Sequence, residues 1–431
     1  MKPSPTKETC RKEGITVDST AKKRRLLSWA LYDAGNSAFA TTVMAAVLPV
    51  YYREVAARGL SMTSALAYWG YASAAALLLS VLSAPFTGAA ADARGWKKRG
   101  LAAATLMGIA ASAGLAWVRE GQWGFALFLL VVGTVGFSLS SVFYDSLLPH
   151  IVIPAELDRA SSLGYAVGYL GGGILLAINV SMIVFLAPES GMRLSFLTVA
   201  AWWAAFTLPV LVFVPEPPRE PAGPPGATSV LMRPFRTLRS LRLHRDAFLF
   251  LIAFWLFNDG IGTVIKLGAL YASALGIGRA HLLGALLATQ FVAIPCALGF
   301  GRLAERIGSK PAIFLGLGGY VCLSVWAFFL VHPWQFWALA IGIGTVQGGT
   351  QALSRSLFGS MVPPGRSAEF FAFYDLSSKF SGVAGPAIFG LILQATGSPR
   401  YGALALSLFF IAGMAVLRHV DVDRGRSALY E

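Results

Sequence analysis

The stretch Gly88-Ala-Ala-Ala-Asp92-Ala-Arg94-Gly95-Trp96-Lys97-Lys98-Arg99 is answered in the second half of the chain by Gly301-Arg-Leu-Ala-Glu305-Arg306-Ile-Gly308-Ser-Lys310. Both read Gly-x3-acid-x2-Gly-x-Lys, and each lies between two long apolar runs. An acid, two glycines and a cation at one spacing, once in each half, imply a duplicated membrane unit with matching charged loops on one face. The acid can lie against the positive N-terminal end of a neighbouring helix, the glycine permits a tight turn, and the cations face water. The two copies, Gly88, Asp92, Arg94, Gly95 and Lys97 with Gly301, Glu305, Arg306, Gly308 and Lys310, read as breakable latches. Solvated turns whose charges only set orientation are the alternative.

Working outward, the composition places these loops in a bilayer. Apolar residues make up 56% of the chain, charged residues 13%, and the mean hydropathy is +0.63, more than a soluble core requires. Runs of about 18 or more apolar residues predict spans at Leu27–Tyr51, Ala67–Ala91, Leu101–Val118, Gly124–Leu148, Ala160–Leu186 and Leu194–Val214. Six more follow at Ala247–Tyr271, Leu282–Gly301, Pro311–Leu330, Trp334–Leu357, Phe371–Thr396 and Tyr401–Leu417. The expected organisation is a disordered basic tail (1–26), a six-helix bundle (27–214), a linker with a basic amphipathic helix (215–246), a second six-helix bundle (247–418) and a short tail (419–431). The fold class is all-α membrane protein with twelve transmembrane helices in two pseudo-symmetric bundles.

The net charge of +14 is not spread over one surface, as a nucleic-acid-binding protein requires; alternate loops and both tails hold 26 of the 35 Lys and Arg and the opposite loops hold 6. By the positive-inside rule both termini and both repeated loops are cytoplasmic. Arg233, Arg236, Arg239, Arg242 and Arg245 recur among apolar residues in the linker and read as an interfacial helix, either an anionic-lipid site or orientation charges. Cys10, Cys296 and Cys322 show no pairing or metal spacing. The Lys22-Lys23-Arg24-Arg25 run precedes an apolar stretch too long for an export leader and interrupted by Asp33, so it reads as an uncleaved first span. A bacterial inner membrane fits best.

Ionisable groups in hydrocarbon are costly and mark function. Asp33, Ser37 and Thr41 with neighbouring Asn36 line one face of the first span; Ser138, Ser141 and Asp145 stripe the fourth. Asn258, Asp259, Thr263 and Lys266 do so on the seventh, and Gln347, Gln351 and Arg355 on the tenth. Four polar helices, two from each half, imply a hydrated path between the halves for substrate or protons. Mutual pairing that only fixes packing is the competing reading. Asp259, near mid-span, reads as functional; Asp33 is balanced between a gate contact and solute or proton binding, and Asp145 reads as a gate residue. Asp375 and Lys379, four apart on the eleventh span, read as a mutually neutralising pair beside the gate.

On these residues the chain resembles the major facilitator superfamily, whose signature between spans two and three matches Gly88 to Arg99. Ser28-Trp-Ala-Leu-Tyr-Asp-Ala-Gly-Asn-Ser-Ala-Phe39, Phe257-Asn-Asp-Gly260, Gln290-Phe-Val292, Gln351-Ala-Leu-Ser-Arg-Ser356 and Gly385-Pro386 look like its branch of autophagy-related vacuolar amino-acid effluxers and their bacterial relatives. The resemblance implies a central cavity lined by helices one, four, seven and ten, alternating access, and Asp92 and Glu305 as cytoplasmic latch residues. Ala34 and Gly35 stand where the branch pattern has Trp and Ala.

The expected function is secondary transport of a small polar solute, with an amino acid as the inherited guess and protons as a possible coupling ion. The solute and the lipid bilayer are the partners, and no cofactor, metal or nucleic acid is called for. Export of hydrophobic drugs or lipids, or solute sensing without transport, are the alternatives. The five histidines fall in loops, tails or span edges, giving no convergent nucleophile-base or metal set for an enzyme. No Gly-Lys-Ser/Thr phosphate loop occurs, which argues against ATP drive.

Overall fold

A computed structural model describes residues 19–218, 244–274, 276–380 and 384–427, together with Met232, Phe235, Thr237 and Arg239 of the linker. Helices fill nearly all of it. Residues 1–18 of the expected tail, most of the expected linker helix and residues 428–431 lie outside the described residues.

The first half contains α1 (Ser19–Ala38), α2 (Met62–Arg94), α3 (Lys97–Leu115), α4 (Trp123–Ile151), α5 (Leu157–Phe185) and α6 (Pro188–Phe213). The second contains α7 (Arg245–Ala274), α8 (Arg279–Ile307), α9 (Ser309–Phe328), α10 (Pro333–Gly359), α11 (Ser367–Phe380), α12 (Ala384–Thr396) and α13 (Pro399–Arg418), followed by the short α14 (Val422–Ser427). The eleventh expected span is described as α11 and α12, on either side of residues 381–383, which lie outside the described residues. Among the described residues nine segments are long and apolar enough to cross a membrane. The other three expected spans correspond to α1, α3 and α10, whose Lys, Arg, Gln, Ser and Gly residues lower their hydropathy.

Helix α1 is already formed at Ser19, inside the stretch expected as tail, and Lys22 pairs there with Glu156 at 2.6 Å. It then widens into a π-helical stretch (Phe39–Val47), one α turn (Leu48–Tyr51) and a second π stretch (Tyr52–Ala56). Two local causes lie on the sequence. The Thr41 hydroxyl donates to the Ser37 carbonyl at 3.0 Å, competing with the backbone ladder, and Pro49 lacks the N–H that would continue it.

Each half has its own hydrophobic core. The first is built on Trp29, Phe39, Tyr51, Phe196 and Trp203, joined by Ala368 and Ala372 of α11; the second is built on Phe250, Phe257, Tyr320, Phe358 and Phe410. Burying a large apolar side chain contributes about 1.5–3 kcal/mol, although between helices in lipid the gain is one of close packing. The halves meet through α5 against α8 and α10, and through α11 against α2 and α4.

Candidate functional site: an arginine cluster and a loop-end latch

Arg355 of α10 reaches across the interface into the first half. Its Nη1 lies 2.9 Å from Asp145 Oδ1 and 3.7 Å from Asp33 Oδ2. Nε donates to Ser161 Oγ at 2.8 Å and Nη2 to the Ser161 carbonyl at 2.9 Å. The guanidinium carbon sits 5.0, 5.4 and 4.5 Å from the ring centres of Trp29, Tyr144 and Tyr165, the aromatic-faced setting that suits Arg. Gly164 makes room for it: a Cβ there would stand 2.9 Å from Nη2. Asp145, expected at a gate, and Asp33 therefore belong to one cluster. Ser161, Trp29, Tyr144 and Tyr165 complete it. Sequence reasoning missed these four because α5 shows no ionisable stripe, and aromatic rings in an apolar run look like core.

Toward the middle of the helices, Gln347 Nε2 donates to Tyr169 Oη at 3.2 Å, and that hydroxyl donates to Gln351 Oε1 at 3.5 Å. Asn36 Nδ2 donates to Ser141 Oγ at 3.4 Å, and Ser37 faces Gly168 of α5. Ser138 Oγ donates to Asp375 Oδ2 across the halves at 2.7 Å, with Lys379 at 3.7 Å from the same carboxylate and over the Phe137 ring. Asp375 and Lys379 do pair, as expected, but the pair also bridges the halves.

The seventh-span residues do not join the arginine. Asp259 accepts the backbone N–H groups of Ala384 and Gly385 in the eleventh span, at 3.2 and 2.9 Å. Thr263 donates to the Asp259 carbonyl, Asn258 Nδ2 reaches Ser378 Oγ at 3.5 Å, and Lys266 is exposed. An apolar cleft of about 840 Å³ between α8, α9 and α10, walled by Cys296, Phe300 and Phe314, carries no charged side chain and stands apart from these groups.

The two repeated loops differ. In the first, Gly95 (φ +68°) ends α2 in the left-handed region, Lys97 pairs with Asp92 at 2.9 Å, and Asp92 Oδ2 accepts the Glu369 N–H of α11 at 2.7 Å. Gly88 lets α11 approach, since a Cβ there would meet the Ala368 carbonyl oxygen at 2.5 Å. Arg94 stacks outside on Trp96. This is a latch across the halves. The second copy also turns on a positive-φ glycine, Gly308 at φ +92°, in a different conformation (ψ +153° against +46° at Gly95), and there Glu305 and Arg306 are exposed and Lys310 caps the end of α13 through the Arg418 and Val420 carbonyls. The acid that bridges there is Asp158 of α5, which accepts from Ser309 and Ser356, beside the close contact of Gly301 with Ser162. Glu305 is thus corrected from latch to surface residue. Equal spacing placed a positive-φ glycine in both loops but not which acid faced the partner half.

These bridges share one end of the molecule. Among the described residues, the hydrogen bonds and ion pairs between the halves lie between mid-depth, at Tyr169, and the end carrying the repeated loops.

The family profile described as vacuole effluxer Atg22 like matches residues 62–429. The chain belongs to this Atg22-like family. An uncharacterized MFS-type transporter of Bacillus subtilis, YxiO, is 35% identical over 404 residues, covering 92% of this chain and 94% of its own. Autophagy-related protein 22-1 of Aspergillus niger is 32% identical over 294 residues, covering 62% of this chain and 48% of that protein; the chain spans about half the length of the fungal relatives it matches. Among solved structures, the proton:xylose symporter XylE superposes with a TM-score of 0.76 at 14% identity over 96% of this chain and all of the other. The human organic anion transporter MFSD10 gives 0.73 at 14% identity over 92% and 99%. The Atg22-like chain therefore has the major facilitator fold, and it is an integral membrane transporter of the MFS type rather than an enzyme.

Proposed function

We propose that this Atg22-like protein is a secondary carrier that moves a small polar solute, an amino acid in the reading that best suits its mixed charges, by rocking its halves between two access states. One observation carries this: a buried guanidinium from one half is held by two carboxylates of the other, beneath a polar layer, at the end where the halves are bonded. Two carboxylates against one guanidinium leave one negative charge, which is costly in a poorly hydrated site. A proton or the amino group of a solute neutralises it, so Asp33 and Asp145 are the coupling carboxylates. Charge asymmetry turns the bonded end and both termini to the cytoplasm of a bacterial inner membrane. The vacuolar role of the fungal relatives and the proton coupling named for XylE agree with solute movement linked to protons.

The test is flux into proteoliposomes under an imposed pH gradient, with panels of amino acids and sugars. Saturable, gradient-driven amino-acid flux is expected, with Asp33→Asn losing the drive while solute exchange persists. Full gradient-driven flux in Asp33→Asn would remove Asp33 from the coupling role. A solute that raises the melting temperature without crossing would favour a sensor.

A further inference from the structure

His150 lies in the last turn of α4, at a span edge. The structure sets it inside the loop-end latch. Lys97 Nζ lies 2.9 Å from Asp92 Oδ1, 3.0 Å from His150 Nε2 and 2.7 Å from Ser367 Oγ. Lys97 also donates to the Pro364 carbonyl at 3.5 Å. An ammonium has N–H donors and no lone pair, so the ring nitrogen facing it must be the one with the lone pair. Ser367 Oγ spends its own proton on the Ser146 carbonyl at 2.9 Å. In the closed latch His150 is therefore neutral, with its proton on Nδ1.

A second proton has no place there. On Nε2 it would point at the Lys97 ammonium, two cations 3.0 Å apart around a lysine that is 4% exposed. The Ser367 oxygen, 3.2 Å from Nε2, can accept that proton only if Lys97 withdraws. Withdrawal removes the cation from Asp92, whose other oxygen holds α11 through the Glu369 N–H. The remaining charged groups around the latch are otherwise engaged. Glu369 is held by Arg366 and Thr237, and Glu216 by the Lys98 N–H at the start of α3.

We propose that His150 is a proton-operated release on the loop end: one proton taken up by His150 from the aqueous phase on that side separates Lys97 from Asp92 and opens that end. This rests on the reading that the halves part there, and it adds a proton site distinct from the arginine cluster. An unhindered imidazole titrates near pH 6.5, and since only the opened latch accepts the proton, acid favours opening. The open-to-closed ratio then rises about tenfold between about pH 7.5 and 5.5.

The experiment measures the distance between spin labels at exposed Ile153→Cys and Ile307→Cys, one in each half. The full chain carries Cys10→Ser, Cys296→Ala and Cys322→Ala and sits in lipid nanodiscs. Expected are a longer-distance population that grows about tenfold with acidification in the parent, a pH-independent short distance in His150→Gln, which keeps a neutral acceptor, and a long distance at every pH in His150→Arg. The short distance in His150→Gln also reports that this variant folds. Retained pH response in His150→Gln, or none in the parent while Asp92→Asn opens the end, would overturn the proton inference and leave the gate reading standing. If Asp92→Asn leaves the distance unchanged, the gate reading falls and the inference with it.

Discussion

At the residue scale, Arg355 is the group on which the most partners depend. Its loss strands Asp33 and Asp145 in a buried site, and breaking a buried charge pair from one side costs about 3–5 kcal/mol. Arg355→Ala should therefore melt well below the parent in detergent, while the triple variant Arg355→Met, Asp33→Asn, Asp145→Asn should recover most of that stability and still show no flux. A triple variant that transports would make the cluster structural only. The sequence showed Asp33, Asp145 and Arg355 as polar positions on the right helices, because ionisable groups in lipid are conspicuous. Their convergence was hidden, since the residues that shape the pocket are a serine, a glycine and three aromatic rings, types that apolar helices use everywhere. His150 was equally hidden: its meaning depends on Lys97 and Ser367, far away in the chain.

At the scale of elements, Asp259 ties the seventh span to the eleventh through the Ala384 and Gly385 N–H groups. The mid-span position of this acid suggested solute or proton binding, yet its carboxylate is engaged by two backbone N–H groups. Gly385 permits this, because a Cβ there would lie 2.0 Å from Thr263 Oγ1 and 2.8 Å from Asp259 Oδ1. Gly385→Ala should cost about 1–3 kcal/mol, partly restored by Thr263→Ala, and Asp259→Asn about 1 kcal/mol through weakened hydrogen bonds to the Ala384 and Gly385 N–H groups, all read by thermal melting. If Asp259→Asn leaves stability untouched but abolishes solute binding, this structural account of Asp259 is wrong. Span positions were legible from apolar run length, as were the latch turns from their glycines. The π stretches of α1 and the exposure of Glu305 were not, because they depend on local hydrogen-bond competition and on which acid, Glu305 or Asp158, meets the facing half.

At the scale of the molecule, two cores joined along α5, α8 and α10 and along α2, α4 and α11 are, among the described residues, hydrogen-bonded to each other between mid-depth and one end. Such an arrangement has two plausible closures, and interhelical hydrogen bonds in membranes are weak enough, about 0.6 kcal/mol each on average, for one set to be exchanged for another. The duplication made the two halves legible from sequence, but which end is closed is a property of packing that no spacing encodes. The most direct measurement is a pair of spin-label distances recorded on the same preparation. One is the loop-end pair at Ile153→Cys and Ile307→Cys; the other is a far-end pair at Phe185→Cys and Trp334→Cys, all exposed positions. The account predicts two populations that alternate, the loop end short when the far end is long and the reverse, with their ratio shifted by a transported solute. Two single, unchanging distances, in the presence of a solute that demonstrably binds, would contradict alternating access and leave a static receptor.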